Sequence, residues 1–419
     1  MADSPYSSET GSSPSPQEQS HSNLLLLYVA RGVRGLGDGF TVILLPAYLS
    51  AIGLSPAQIG IIATASLLGT AALTLGIGWI APRHDLRSLL LIGAFLMTCT
   101  GLAFATIEYF PFIVIAAFVG TINPSSSDIG MLVPLEHAML ARGASDRDRT
   151  SAFARYSLVG ALSMAAGSLA AAIPDLMVSF GFERLNAFAL MFYLYACLAV
   201  VATALYRHLP RSHTEVAKTQ PPLGPSRAIV FKLAALFSID AFAGGFVVQS
   251  LMALWLFVRF DLSLTQASLF FFLSSLLSAF SYPIAARLAQ RFGLVNTMVF
   301  THIPSSLCLI AAAIAPDLTA VLILLLVRSA LSQMDVPTRT SYVMAVVTPE
   351  EQPTAASVTA VPRTLAASVS PIFSGALLAT AFPGLPLIIC GTLKVGYDLA
   401  LLYSFRHIKP PEENSRSVH

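Results

Sequence analysis

Charged side chains interrupt several long apolar runs of this chain. An ionised group in mid-membrane costs about 2.5–3.5 kcal/mol on insertion scales, so each needs a partner, a wet cavity or a function. Asp38 stands about 14 residues into the first run, with Arg34 one turn before it and Arg31 two turns before it. It reads either as a protonatable carboxylate lining a cavity or as a static i,i+4 partner of Arg34. Asp240 has no base within a turn of it, so the sequence predicts an acid kept protonated, as a proton-coupling site requires; a neutral Asp bonded to a neighbouring helix is the other reading. Gln249, further along the same run, is a candidate solute contact or a helix–helix hydrogen bond.

A second group is the pair Asp128 and Arg155, repeated as Asp335 and Arg363. Each pair is expected to bridge two antiparallel neighbouring helices, as a gating or a static salt bridge. Arg328, Asp335 and Arg339 follow at steps of seven and four and share one helix face. Arg328 would suit an anionic solute or would pair with Asp240 across a cavity. Lys394 and Asp398 are spaced as a structural i,i+4 pair. Glu136 and His137 are expected at the inner end of their helix, with His137 solvated. Asn123-Pro124 marks a local kink.

The elements that must carry these groups follow from composition. Of 419 residues, 55% are hydrophobic and 11% charged, and mean hydropathy is +0.72. A soluble domain carries about 25% charged residues. Apolar runs of about 20 residues span the hydrocarbon core as helices, the backbone satisfying itself. Helices are expected at roughly 24–51, 56–81, 86–107, 110–140, 149–173, 185–207, 229–258, 264–288, 295–315, 318–346, 352–381 and 384–406.

Residues 1–23 read as a disordered cytoplasmic tail with no signal peptide, 24–208 as a six-helix half, 209–228 as a cytoplasmic linker, 229–406 as a second six-helix half, and 407–419 as a cytoplasmic tail. Arg83, Arg87, Arg142, Arg207, Lys232, Arg287 and Arg291 fall in alternate connections, while the others hold only Arg184 and Arg259. Basic residues stay inside, which places both termini in the cytoplasm.

The halves align at an offset near 208: Gly53-Leu54-Ser55-Pro56-Ala57-Gln58 lies over Asp261-Leu262-Ser263-Leu264-Thr265-Gln266. Parallel six-helix repeats joined by a long inner loop build one large transporter fold, with the solute site between the halves near the midplane. Asp38-Gly39-Phe40 through Gly60 resembles the first helix and outer loop of the major facilitator superfamily (MFS). Ala286-Arg287-Leu288-Ala289-Gln290-Arg291-Phe292-Gly293 resembles that family's helix 2–3 signature; the first half's slot, Gly78 to Asp85, has Pro82 where the family has an acid. Leu325-Leu326-Val327-Arg328 and Ser370-Pro371 through Gly375 resemble family motifs displaced to the second half. The resemblance covers about residues 24–406. It implies an all-α integral membrane protein of twelve transmembrane helices in two pseudo-symmetric six-helix halves (the MFS fold), expected to act as a monomer.

No GxxxxGK[ST], HExxH, GxSxG or Cys/His zinc spacing is present, and no basic patch for nucleic acid. Cys99, Cys197, Cys308 and Cys390 lie in separate runs and read as free thiols. No cofactor is expected. The sequence predicts a secondary active transporter for a small organic solute, with protons or another ion as the coupling species. The mid-membrane acids and the aromatics Phe40, Phe242 and Phe246 favour proton-coupled export. Uptake of a nutrient or anion, and a transporter-like receptor or lipid-handling protein, are the alternatives, and an intramembrane enzyme the least supported. Compact loops and the family resemblance place it in a plasma membrane, as a bacterial inner-membrane protein.

Overall fold

The structure is a computed structural model and describes residues 16–125, 130–143, 149–211, 223–348 and 351–406. Those residues are helical throughout, apart from short connections: α1 (Pro16–Ala51), α2 (Pro56–Ile80), α3 (Leu86–Thr106), α4 (Phe110–Val119), α5 (Leu132–Gly143), α6 (Arg149–Ala170), α7 (Ile173–Ser179), α8 (Arg184–Arg207), α9 (Arg227–Gly245), α10 (Gln249–Phe260), α11 (Leu264–Phe292), α12 (Leu294–Ile314), α13 (Leu318–Ser332), α14 (Asp335–Ala345), α15 (Gln352–Leu378) and α16 (Leu385–Phe405). Read as crossings, α4–α5, α6–α7, α9–α10 and α13–α14 each form one, which gives twelve. Among the described residues, nine spans are long and apolar enough to cross a membrane by themselves. The other three are α1, broken α4–α5 and α15, and they carry Arg34, Glu136 and Arg363. Helix α1 reaches back to Pro16, into the stretch expected to be tail.

The two halves share their turn chemistry. Ser55 caps α2 and Ser263 caps α11, each in a capping box with the Gln three residues on. The residue two before each cap has positive φ: Gly53 at 87° and Asp261 at 49°. An αL residue there turns the chain sharply between antiparallel crossings, and Gly or Asp tolerates it.

Crossings 4, 7 and 10 are broken where the sequence predicts continuous helices. Pro124 offers no N–H to a helix. Gly244 and Gly245 weaken the next break, and Pro337 sits in the first turn of α14, just after the third. Backbone groups freed in a membrane must find partners. The Ser66 hydroxyl donates to the Ile122 carbonyl, and the Thr121 N–H donates to Thr100 Oγ1 at 3.3 Å. Ser374 Oγ donates to Phe246 O at 2.6 Å. The Ser250 N–H donates to Pro124 O at 3.0 Å, tying the break in crossing 4 to the one in crossing 7.

Apolar packing divides the molecule along its length. At the end away from the interhalf linker, one continuous cluster joins both halves, from Phe40, Ile43 and Tyr48 to Phe246, Trp255 and Phe270. At the linker end there are two clusters, one around Leu86 and Tyr206 and one around Phe237 and Tyr342, each within its own half. Two contacts pin the far end. α2 and α15 meet backbone to backbone, where a Cβ on Gly60 would lie 2.6 Å from Pro371 O and one on Gly375 would lie 2.5 Å from Pro56 O. Asp175 Oδ2 accepts from the Thr265 N–H at 3.0 Å and from its hydroxyl at 3.1 Å, capping the start of α11 across the seam. The halves are therefore closed at the far end.

At the linker end, Glu351 accepts from the Gly224 N–H and from Thr348 Oγ1 at 3.1 Å. The Ser226 hydroxyl, then Gly224 and Thr348, hold its carboxyl below its ordinary 4.5. A depressed carboxyl contributes stability above its ordinary value and loses it as pH falls through the folded value. The melting midpoint of wild type should therefore exceed that of Glu351→Gln near neutral pH, and the gap should shrink as pH drops below about 4.5. A gap that widens in acid would contradict the assignment. Separately, Gly60→Val should cost the closed end about 1–3 kcal/mol. With the native cysteines replaced, it should raise maleimide labelling of an Ala267→Cys probe, a position now fully buried. Unchanged labelling would show that the glycine contact does not hold this end shut.

Candidate substrate and coupling site

In the N-terminal half, α1 presents Arg31, Arg34 and Asp38 on one face. Arg34 does not pair with Asp38. Its guanidinium bonds Glu136 of α5, which is fully buried and also accepts from the hydroxyls of Tyr156 (α6) and, at 2.5 Å, Tyr206 (α8). Glu136 is sealed from solvent, and the guanidinium supplies the countercharge that its two neutral phenol donors cannot. Glu136 thus joins α1, α5, α6 and α8 at the linker end, where it is enclosed by the core of its half. His137 packs edge-on against Phe153 and Tyr156, half-buried. The Arg31 guanidinium lies 5.4 Å over the Tyr156 ring.

Asp38 keeps its carboxylate out of any hydrogen bond or ion pair among the described residues. It lines a recess beside the unwound stretch of crossing 4, with Thr70, Thr121, Asn123, Met164 and Tyr195. Thr121 Oγ1 and the Tyr195 hydroxyl are 3.2 Å apart in its wall.

In the C-terminal half, Asp240 is 4% exposed and heavily partnered, contrary to the expectation of an acid without a base. Lys394 of α16 reaches it at 2.6 Å, Arg339 of α14 at 3.2 Å, and His302 Nε2 of α12 lies 3.9 Å away. Arg339 also holds Asp335 at 3.0 Å. His302 Nδ1 is 3.0 Å from Asp398. Lys394 therefore pairs with Asp240 and not with Asp398 one turn along its own helix, because Asp240 faces it across α9 and α16. Asp335 likewise takes Arg339 one turn along α14 in place of Arg363 across the hairpin.

The Lys394 ammonium can only donate, so its 3.3 Å contact to His302 Nε2 makes that nitrogen the acceptor. The ring proton then sits on Nδ1, directed at Asp398. Asp398, His302, Lys394, Asp240, Arg339 and Asp335 form one continuous polar chain through four helices.

Asp128 lies outside the described residues, so its pairing with Arg155, an exposed residue of α6, is not visible. Gln249 begins α10 at the break in crossing 7, half-buried. The Arg328 guanidinium makes no ion pair with Asp240; its neighbours include Cys308 and Cys390. Phe40 and Phe246 belong to the far-end core and not to a cavity, and Phe242 packs on Phe246 with ring centres 5.4 Å apart. Sequence reasoning passed over His302. A histidine among Val299, Phe300 and Ile303 was the available signal.

A twelve-crossing bundle of two like halves, closed at one end, with buried ion pairs between its helices, is the architecture of a membrane transporter. The sequence profile of the Major Facilitator Superfamily matches residues 27–371, and again 234–418, and the chain belongs to that family. It is 27% identical, over 91% of its length and 94% of the other's, to the uncharacterized membrane protein YJR124C of Saccharomyces cerevisiae. Among solved structures it resembles the nucleoside transporter NupG (14% identity, TM-score 0.71, covering 92% of this chain and 99% of that one). It also resembles the xylose transporter XylE from E. coli in an inward-open conformation (15% identity, TM-score 0.70, covering 92% and 97%).

Breaking a buried ion pair from one side strands a charge and costs about 3–5 kcal/mol, whereas removing both partners is far milder. Lys394→Met should therefore lower the melting midpoint strongly, and Lys394→Met with Asp240→Asn should recover much of the loss. A double variant as unstable as the sum of the singles would show that the two groups do not interact.

Proposed function

We propose that the chain is a secondary active transporter that moves a small organic solute by alternating access and couples it to protons through His302, Lys394 and Asp240. The observation that carries this reading is the shared contact of Lys394. Its ammonium bonds Asp240 and the lone pair of His302 Nε2 together. A proton arriving at Nε2 would turn that contact into repulsion between two cations and draw the imidazolium towards Asp240, 3.9 Å away. Lys394 would then be displaced from its place between α9, α12 and α16. A change in one proton thus alters how the broken crossing 7 is held, which is how a local charge biases a two-state bundle.

Closure at the far end and separate cores at the linker end fit an inward-open state, with both termini cytoplasmic by the distribution of Lys and Arg. The likeness to XylE in its inward-open conformation supports this. In such a state the solute enters between the halves and meets Asp38, Thr121 and Asn123 on the N-terminal side. Broken crossings at the seam supply further backbone groups. Phe40 and Phe246 lie in the far-end core and lend no support to export over uptake. A yeast relative that matches over 91% of the chain removes the ground for a bacterial inner membrane.

The test is proton movement in proteoliposomes holding a pH-sensitive dye, challenged with organic anions, cations and neutral solutes. Wild type should show solute-dependent proton movement. His302→Gln should abolish it while leaving solute exchange at equal pH, and Asp38→Asn should weaken solute affinity. Radiolabelled solute crossing without any proton movement in wild type would sink the coupling.

A further inference from the structure

Around the ion-pair chain of the C-terminal half stand four bases, Arg328, Arg339, Arg363 and Lys394, and three acids, Asp240, Asp335 and Asp398. Arg339 and Lys394 are held by carboxylates. Arg363 is not. It makes no hydrogen bond and no ion pair among the described residues, and its Nε is sealed from solvent with nothing to accept from it. A guanidinium in this position is costly unless something anionic completes it.

Its placement says what that something is. α15 packs along α9 in its own half and along α2 in the other, so Arg363 stands on a helix of the seam. Solutes bind at such seams in folds of paired six-helix repeats. Arg363 is within electrostatic reach of Arg339, Asp240 and Asp335, but both acids are already engaged. Arg328, which also has no carboxylate partner among the described residues, is on α13, which packs on α11 and α12 within one half.

We infer that Arg363 receives an anionic group of the transported solute, a carboxylate, sulfonate or phosphate monoester. The inference rests on the transport reading above and names its solute class. The planar guanidinium fork matches such oxyanions two bonds at a time. A bound monoanion gives Arg363 the countercharge it lacks among the described residues.

The experiment is a thermal-shift series on the purified full chain in detergent. The probes are benzoate, benzenesulfonate and glycerol phosphate, with benzyl alcohol and benzylamine as neutral and cationic counterparts. At least one oxyanion should raise the melting midpoint where the alcohol and amine do not. Arg363→Gln should require about tenfold more of it, or lose the shift, and Arg363→Lys should fall between. Without ligand, Arg363→Gln should melt no lower than wild type, since it removes an unmatched charge. The inference is overturned if no oxyanion shifts the midpoint, if the amine or alcohol shifts it as well, or if Arg363→Gln leaves the oxyanion shift intact. It is also overturned if dioleoyl phosphatidate alone is effective, which would assign the site to a lipid. An Arg363-dependent oxyanion shift together with proton-independent transport would uphold the site and remove only the coupling.

Discussion

Every polar group placed inside hydrocarbon must be answered from within the protein, and the rest of this structure follows from that demand. It acts on the backbone first. Where crossings 4 and 7 unwind, hydroxyls of Ser66, Thr100 and Ser374 meet the freed groups, and one break bonds the other. It acts on charges next. Each half answers differently: the first surrounds one carboxylate, Glu136, with two phenols and a guanidinium, while the second strings three carboxylates among bases and a histidine. The halves share helix caps and turn conformations but not electrostatics. The repeat fixes the frame, and the chemistry lies in what differs between its copies.

The frame was legible in the sequence. Run length reveals most crossings because an apolar helix of about 20 residues satisfies its own backbone across the hydrocarbon core. The repeat is visible because capping boxes and αL turns are local, and Ser55-Gln58 and Ser263-Gln266 spell them out. Asn123-Pro124 announced a kink, and the structure places a longer unwound stretch there. Gly244-Gly245 carried the same message more faintly, since paired glycines also serve helix packing.

The partners of the charges were much less legible. Spacing exposes only neighbours along one helix or in matching copies of a repeat. Arg34 with Asp38, and Lys394 with Asp398, have that spacing, and tertiary packing sends each base elsewhere. Arg34 goes to a carboxylate 102 positions away and Lys394 to one 154 away. The facing of helices decides these choices: Asp240 meets Lys394 across α9 and α16, while Asp398, buried as deeply, is taken by His302. Burial of one side of a helix against another is what a single sequence leaves out.

The fused apolar cluster at the far end has an electrical consequence. The plug is apolar but for Arg259 at its margin, over Trp255 and bonded to the Ala315 carbonyl, while the opposite side of the bundle parts into two separate cores. Asp240 precedes the plug along α9, where Ala243 is the first residue of that helix to join it. A membrane voltage falls mainly across the least conducting stretch, at about 2.3 kcal/mol per elementary charge and 100 mV. The ion-pair chain then sits near the potential of the linker-side compartment. A charge moved between that compartment and the chain would cross little of the field, whereas one carried past the plug would cross most of it.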